Sequence, residues 1–311
     1  MLMEIIYGLP ATPLKESTYI ALGSFDGVHL GHQALITHAV IEGEKAKGNS
    51  IVLTFEPHPL KVLNPKQPLN LILSNRLKAN RIAALKPDQL IFLPFTSELA
   101  YKTPEQFVVM LKKILNPYAL VIGFDYSFGK GGSGNPELLK ALGKNLGFEV
   151  HIIPAQNYEG SPISSTRIRQ ALTLGDIDLA KQLLGYWPLL EGMVMDGEKR
   201  GRKLGFPTAN LKMEDSIVLP REGVYAARIY LSGIKYFGVV NVGKKPTFGG
   251  GREKSVEVHI IDFQKDIYGD NIEIQFLGRI RSEIKFENPS QLINQIQVDI
   301  NAAQKILMMK S

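Results

Sequence analysis

The first half of the chain repeats one pattern that few folds can satisfy: an apolar, β-rich run, a helical stretch, then another apolar run. The runs fall at "TYIALG" (Thr18–Gly23), "SIVLTF" (Ser50–Phe55), "QLIFLPF" (Gln89–Phe95), "YALVIGF" (Tyr118–Phe124) and "EVHIIPA" (Glu149–Ala155). Strands buried on both faces have this composition, and strands separated by helices run parallel, with helices on both faces of the sheet. "TPEQFVVMLKKIL" (Thr103–Leu115) illustrates the intervening helices, with Pro104 and Glu105 in its first turn. A doubly wound α/β domain is expected here, and such sheets bind ligands beyond the carboxyl ends of their strands.

From Gly192 onward the texture changes. "GVYAARIYL", a Ser232-Gly233 turn, "IKYFGVVNVG", "SVEVHIIDF" and "NIEIQFLG" follow closely, and then comes one helix, "SQLINQIQVDINAAQKIL". Short strands at this spacing predict a small antiparallel barrel with a terminal helix. At 311 residues the chain exceeds the usual size of one domain. We expect the boundary near Gly185 to Pro188, giving domains over residues 1–185 and 186–311.

Composition narrows the function classes. The chain has no cysteine, which removes disulfides, thiolate nucleophiles and zinc-thiolate sites and fits a cytoplasmic location. No apolar run approaches the roughly 20 residues needed to span a bilayer, and the first residues do not read as a signal peptide. The net charge of +6 is spread along the chain except for a knot at "GEKRGRK" (Gly197–Lys203). It could mean nucleic acid or anionic small substrates such as nucleotides, and a mildly basic solvated surface explains most of it. No nucleic-acid module is present, so neither nucleic acid nor membrane is expected as a partner.

"GSFDGVHLGH" (Gly23–His32) follows the first of these strands and opens a helix. Free backbone N–H groups and the positive end of the helix dipole suit a phosphate there. Gly27 and Gly31 lack Cβ atoms and would admit a ligand close to the main chain. His29 and His32, three apart, share a helix face and could both reach one phosphate, donating hydrogen bonds and carrying positive charge near neutral pH. On these residues alone, a pair of surface histidines without a ligand is an equal alternative. "TFEPHP" (Thr54–Pro59) ends the next strand in a Pro-bounded turn. "GFDYSFGKGGSGN" (Gly123–Asn135) carries Asp125 and then turns glycine-rich, without the Gly-Lys-Ser/Thr of a P-loop. "ISSTRIRQAL" (Ile163–Leu172) leads Ser164, Ser165 and Thr166 into a helix with Arg167 and Arg169 behind them. One hydroxyl would cap the helix, and the arginines suit phosphates.

Taken in order, "GSFDGVHLGH", "TFEPHP", "GFDYSFG" and "ISSTRIR" resemble the adenylyltransferase domain of bacterial bifunctional riboflavin kinase/FAD synthetases. "LGFPTANL", "GVYAA", "NVGKKPTF", "VEVHIIDF", "DIYG" and the terminal helix resemble the riboflavin kinase module of the same family. The resemblance runs from about Tyr19 to the C-terminus. It implies two ATP-dependent steps: riboflavin to FMN in the C-terminal module, and adenylylation of FMN to FAD with release of pyrophosphate in the N-terminal module.

The resemblance also implies residue roles. His29 and His32 would act on the ATP phosphates, with Gly23, Phe25, Asp26 and Gly31 in the same ATP-binding loop. Ser164, Ser165, Thr166 and Arg169 would hold the departing pyrophosphate, Asp125 would lie on a flavin-binding loop, and Gly205 would help bind ATP in the second module. Thr208 and Asn210 would hold Mg²⁺, and Glu257 would be the general base on the ribityl hydroxyl. Strand alternation independently puts Glu257 and His259 on one face and Val256, Val258 and Ile260 on the other. The expected small molecules are therefore riboflavin, FMN, FAD and ATP, with Mg²⁺. In "LILSNRLKANRIAAL" (Leu71–Leu85) the sequence does not align the lysine that the family carries within a helix. An adenylyltransferase for another substrate and a non-catalytic flavin-responsive protein are the competing readings. "PTAN" followed by "VEVH" weighs against the first, and the retained polar residues weigh against the second.

Overall fold

The computed structural model describes residues 2–67, 69–196, 205–214, 216–246 and 252–310. The basic knot "GEKRGRK", the first residues of "GRKLGFPTANL" and the end of "NVGKKPTF" lie outside them. By their contacts the residues divide into two compact units. One holds residues 1–70 and 75–164, and the other holds residues 71–74 and 165–311.

The first unit contains strands β1 (Glu4–Tyr7), β2 (Thr18–Leu22), β3 (Asn49–Glu56), β4 (Gln89–Pro94), β5 (Pro117–Gly123) and β6 (Glu149–Ile153). They form one sheet in the order β1-β4-β3-β2-β5-β6, and every pairing is parallel. All five residues of β2 are buried, as are six consecutive residues of β3, which is why these runs lack polar alternation. Helices α1 (Leu30–Ala46), α2 (Pro59–Leu63), α3 (Asn75–Ala83), α4 (Ser97–Ala100), α5 (Pro104–Leu115) and α6 (Pro136–Leu146) lie between the strands. In α5, Thr103 and Gln106 form a reciprocal capping box and Pro104 occupies the first turn. A hairpin of β7 (Asn157–Tyr158) and β8 (Ser161–Pro162) ends the unit. β1, a mostly exposed edge strand, has no counterpart among the runs read from the sequence.

The strand order fixes where a ligand can enter. From β2 the chain moves outward through β3 to β4, then crosses back to place β5 on the other side of β2. Loops after β2 and β5 therefore diverge and leave a crevice at the carboxyl ends of these two strands. "GSFDGVHLGH" leaves β2 and "FDYSFG" leaves β5, so both border it.

The second unit begins with α7 (Ser165–Leu174) and α8 (Ile177–Leu184). A closed antiparallel barrel follows, with strands β9 (Leu189–Met195), β10 (Ala209–Lys212), β11 (Gly223–Leu231), β12 (Ile234–Pro246), β13 (Arg252–Ile260) and β14 (Asn271–Arg281), paired in the order β10-β13-β12-β11-β14-β9. The terminal helix α9 (Pro289–Met309) buries Ile300, Ala303 and Leu307 against Val224, Ala226, Val239 and Leu277. By their contacts α7 and α8 group with the second unit. The physical reason is that Ile177, Ala180, Leu183 and Leu184 bury the face of α8, and this helix packs on β14. Arg221 also donates its N–H to Leu172 O of α7.

Candidate active sites

The loop after β2 is built from strained backbone and large buried side chains. Phe25, Gly27 and Val28 all have positive φ, at 48°, 84° and 37°. For Phe25 and Val28 that conformation is costly, so the surrounding packing must enforce it. Phe25 and Asp26 are wholly buried. They shape the loop and do not present side chains to its surface. A Cβ on Gly23 would meet the Phe25 ring at 3.1 Å, so this glycine makes room for the ring.

His29 is the N-cap of α1, and its Nδ1 accepts the backbone N–H of His32 at 3.3 Å. That bond needs a lone pair on Nδ1, which places the proton of the neutral ring on Nε2. The two imidazoles stack with centroids 3.6 Å apart, and Phe25 meets His32 edge-on at 5.3 Å. A Cβ on Gly31 would lie 3.1 and 3.2 Å from the His29 ring and 4.0 Å from Ile163 O. Gly31 therefore admits the imidazole, where the sequence reading had it admit the ligand directly. It also brings the residue preceding Ser164 beside the start of α1.

Charge at this site is distributed differently from the sequence reading. Burial, and after it the neighbouring His29, Lys78 and His58, hold the His32 pKa well below the ordinary imidazole value, so this ring is neutral at pH 7. Lys78 on α3 is 1% exposed and donates from Nζ to Ser24 O at 3.3 Å. Thr54 Oγ1 donates to the same carbonyl at 2.9 Å. Lys78 was missed because it lies in a polar helix in the segment that the sequence could not align; its burial is the only sign, and sequence does not display it. His58, from "TFEPHP", is buried as well, and its Nδ1 accepts the Leu60 N–H at 3.2 Å as the N-cap of α2.

On the β5 side, Asp125 is exposed beside Phe124, which is half exposed. The glycine-rich continuation is a packed loop. A Cβ on Gly129 would strike Pro104 at 2.7 Å, and one on Gly134 would strike the Phe128 ring at 2.7 Å. These glycines serve close packing. Tyr126 stacks on Phe128 at 5.7 Å, and burial raises its hydroxyl pKa. Ser164 closes the first unit, whereas Ser165, Thr166 and Arg169 form the first turns of α7 and belong to the second.

In the barrel, Asn210 of β10 and Asn241 of β12 both pair directly with Glu257 of β13. Directly paired residues project to the same side of a sheet, so the three side chains form a row across three strands. Val256, Val258 and Ile260 are buried, which leaves Glu257 and His259 on the outer face as the alternation predicts. His259 Nδ1 lies 2.9 Å from Pro207 O and holds the segment before Thr208. Thr208 and Gly205 line a cavity of about 390 Å³ together with Val194, Val258, Lys265 and Tyr268. Gly205 has φ of 86° and open space where a Cβ would stand. Glu257 does not line this cavity; it sits on the other face of the same wall. Among the described residues no group of three or more His, Asp or Glu side chains could by itself hold a metal ion.

Family comparisons match both halves. The model of the FAD synthetase family covers residues 11–167, and that of the riboflavin kinase family covers residues 184–307. The chain belongs to the bifunctional riboflavin kinase/FMN adenylyltransferase family. It is 40% identical to the family member from Listeria monocytogenes over 90% of this chain and 89% of that one. To the member from Escherichia coli K12 it is 35% identical over 96% and 95%. A solved protein from Streptococcus pneumoniae, described as a macrolide-efflux protein, superposes with a TM-score of 0.88 at 35% identity, over 98% of this chain and 99% of that one. Among the described residues here, no helix is long and apolar enough to cross a membrane. The chain is thus an enzyme with an FAD synthetase domain and a riboflavin kinase domain, using ATP in both reactions on flavin substrates.

Proposed function

We propose that residues 1–185 perform adenylyl transfer and residues 186–311 perform flavin phosphorylation, at two separate sites. The observation that carries the first site is the stacked His29–His32 pair beside buried Lys78, at the mouth of the crevice between β2 and β5. A buried ammonium next to two imidazoles favours an anionic ligand, and His29 offers a donor at Nε2. In adenylyl transfer an FMN phosphate oxygen attacks the α-phosphorus of ATP, the new P–O bond forms in line, and pyrophosphate departs. No protein nucleophile is needed, so the chain contributes position and charge stabilisation. His29 and Lys78 contact the phosphate chain, and His32 supports His29 as its stacking and capping partner. Ser164 binds the leaving pyrophosphate, and Asp125 with exposed Phe124 serves the flavin.

In the barrel, Glu257 takes the proton of the ribityl hydroxyl as its oxygen attacks the γ-phosphorus of ATP and ADP leaves. Asn210, directly paired with Glu257, and Thr208 would supply an amide and a hydroxyl oxygen, hard donors that suit Mg²⁺. Such an ion, when bound, offsets charge on the phosphoryl oxygens. Gly205 and Thr208 receive the nucleotide phosphates. Incubation with riboflavin, ATP and Mg²⁺ tests this reading: FMN should appear first and FAD after it. In Lys78→Ala, FMN should accumulate and FAD should not. Unchanged FAD formation in that variant would remove Lys78 from the site.

A further inference from the structure

In the barrel, β12 carries a glycine two residues after Asn241. Residues two apart on a strand share a face. Asn241 pairs with Glu257 and Gly243 pairs with Ser255, so Gly243 belongs to the outer face that presents Glu257. A Cβ on Gly243 would overlap Oε1 of Glu283 and would stand 3.5 Å from Asn241 Nδ2. The missing side chain is therefore the seat of a carboxylate, and Gly243 is buried beneath it. Glu283 comes from the segment between β14 and α9. Its neighbour Ser282 is held twice: the hydroxyl accepts from Arg279 Nη2 at 3.0 Å, and the carbonyl accepts from Arg281 Nη1 at 2.8 Å. Arg281 is itself fixed by Asp299 of α9. Glu283 is thus a preset carboxylate beside Asn241, on the same barrel face as Glu257.

Riboflavin brings to this face a polyol chain, of which one hydroxyl is phosphorylated and the rest need partners once they leave water. A hydroxyl that donates to a carboxylate forms a charge-assisted bond, and a carboxamide can both donate and accept. We infer that Glu283 and Asn241 bind the ribityl hydroxyls that do not react, making Glu283 the residue by which the kinase selects a flavin with a polyol chain. The inference rests on the role given to Glu257 above and extends it to substrate choice. Glu283 takes no proton and touches no phosphorus; it contributes binding shared by the ground state and the transition state. A site that hydrogen-bonds a substrate hydroxyl rejects the analogue lacking it, because its own polar group is then left unpaired.

Kinase rates of the full-length chain at varied riboflavin test this, with adenylylation of supplied FMN as the control. Glu283→Ala should raise KM for riboflavin about tenfold, the scale of a hydrogen bond to a charged group. Its kcat should stay close to wild type, the mark of lost uniform binding. Lumiflavin, which has the same ring system and a methyl group in place of the ribityl chain, should inhibit the wild type and Glu283→Ala with the same inhibition constant. Gly243→Ala, whose Cβ would displace the carboxylate, should raise KM in the same direction, and the double variant should be no worse than the worse single one. FMN adenylylation should be unchanged in all three. An unchanged KM in Glu283→Ala or a loss confined to kcat would overturn the inference. So would an equal weakening of lumiflavin, which would show that Glu283 only shapes the ring pocket. Full kinase activity in Glu257→Gln would instead fail the role of Glu257, and the inference would fall with it whatever Glu283→Ala shows.

Discussion

His29 accepts the backbone N–H of His32 on Nδ1 at 3.3 Å while their rings stack at 3.6 Å. One imidazole therefore caps α1 through Nδ1 and carries its own N–H on Nε2. Structure and chemistry share a residue, and substitution can separate them. Asn caps a helix as well as any residue but lacks the imidazole donor. His29→Asn should hold its unfolding free energy close to wild type while FAD formation from FMN falls roughly a hundredfold. His29→Ala should lose a further ~1 kcal/mol of stability with the cap. Urea melts and chromatographic rates on both variants check the separation.

Gly31→Ala probes the same ring from the other side. Its Cβ would stand 3.1 Å from the His29 imidazole, while alanine favours the helix by about 1 kcal/mol over glycine. The melting temperature should therefore stay level or rise, FAD formation should fall, and the kinase rate should not change. A variant as fast as wild type would show that the position of the ring is not critical.

Two part-buried histidines give the fold an acid limit. Burial first, then His29, Lys78 and His58, lower the pKa of His32; burial first, then His151, lower that of His38. The unfolded chain takes up these protons near the ordinary value of 6.5, and the folded chain does so only at lower pH. The stability contribution is thus fully present above that value and is lost as pH falls below it. Unfolding free energy measured from about pH 8 to about pH 5 should decline, and His32→Gln should decline less steeply.

A buried ion pair joins the terminal helix to β14. Asp299, 2% exposed, receives Arg281 Nε at 2.8 and 3.1 Å and Nη2 at 2.7 Å. Asp299→Ala leaves a guanidinium facing a buried site and should destabilise the protein by about 3 kcal/mol. Denaturant melts should show the loss, and lowering the kinase rate is not required for the prediction to stand.

Much of the architecture was legible because burial on two faces writes itself into composition. β2 and β3 read as unbroken apolar runs, and the alternation of Val256, Val258 and Ile260 with Glu257 and His259 gave the barrel wall its inner and outer faces. Strand order was not legible, since parallel strands with similar faces leave their neighbours unspecified, and the edge strand β1 lacks a buried run. Candidate residues were legible where motifs carry them, as at His29 and Glu257. Lys78 was invisible because a buried lysine in a polar helix looks like a solvated one. The side on which α7 and α8 pack escaped too: an apolar helix face tells that it is covered, and not by what.

The account's central claim is that one chain holds two independent chemical sites. Glu257→Gln, assayed once with riboflavin and once with supplied FMN, tests it most directly. The claim predicts that FMN formation from riboflavin is lost while supplied FMN is converted to FAD at the wild-type rate. Equal loss of both activities in a protein that melts like the wild type would contradict it.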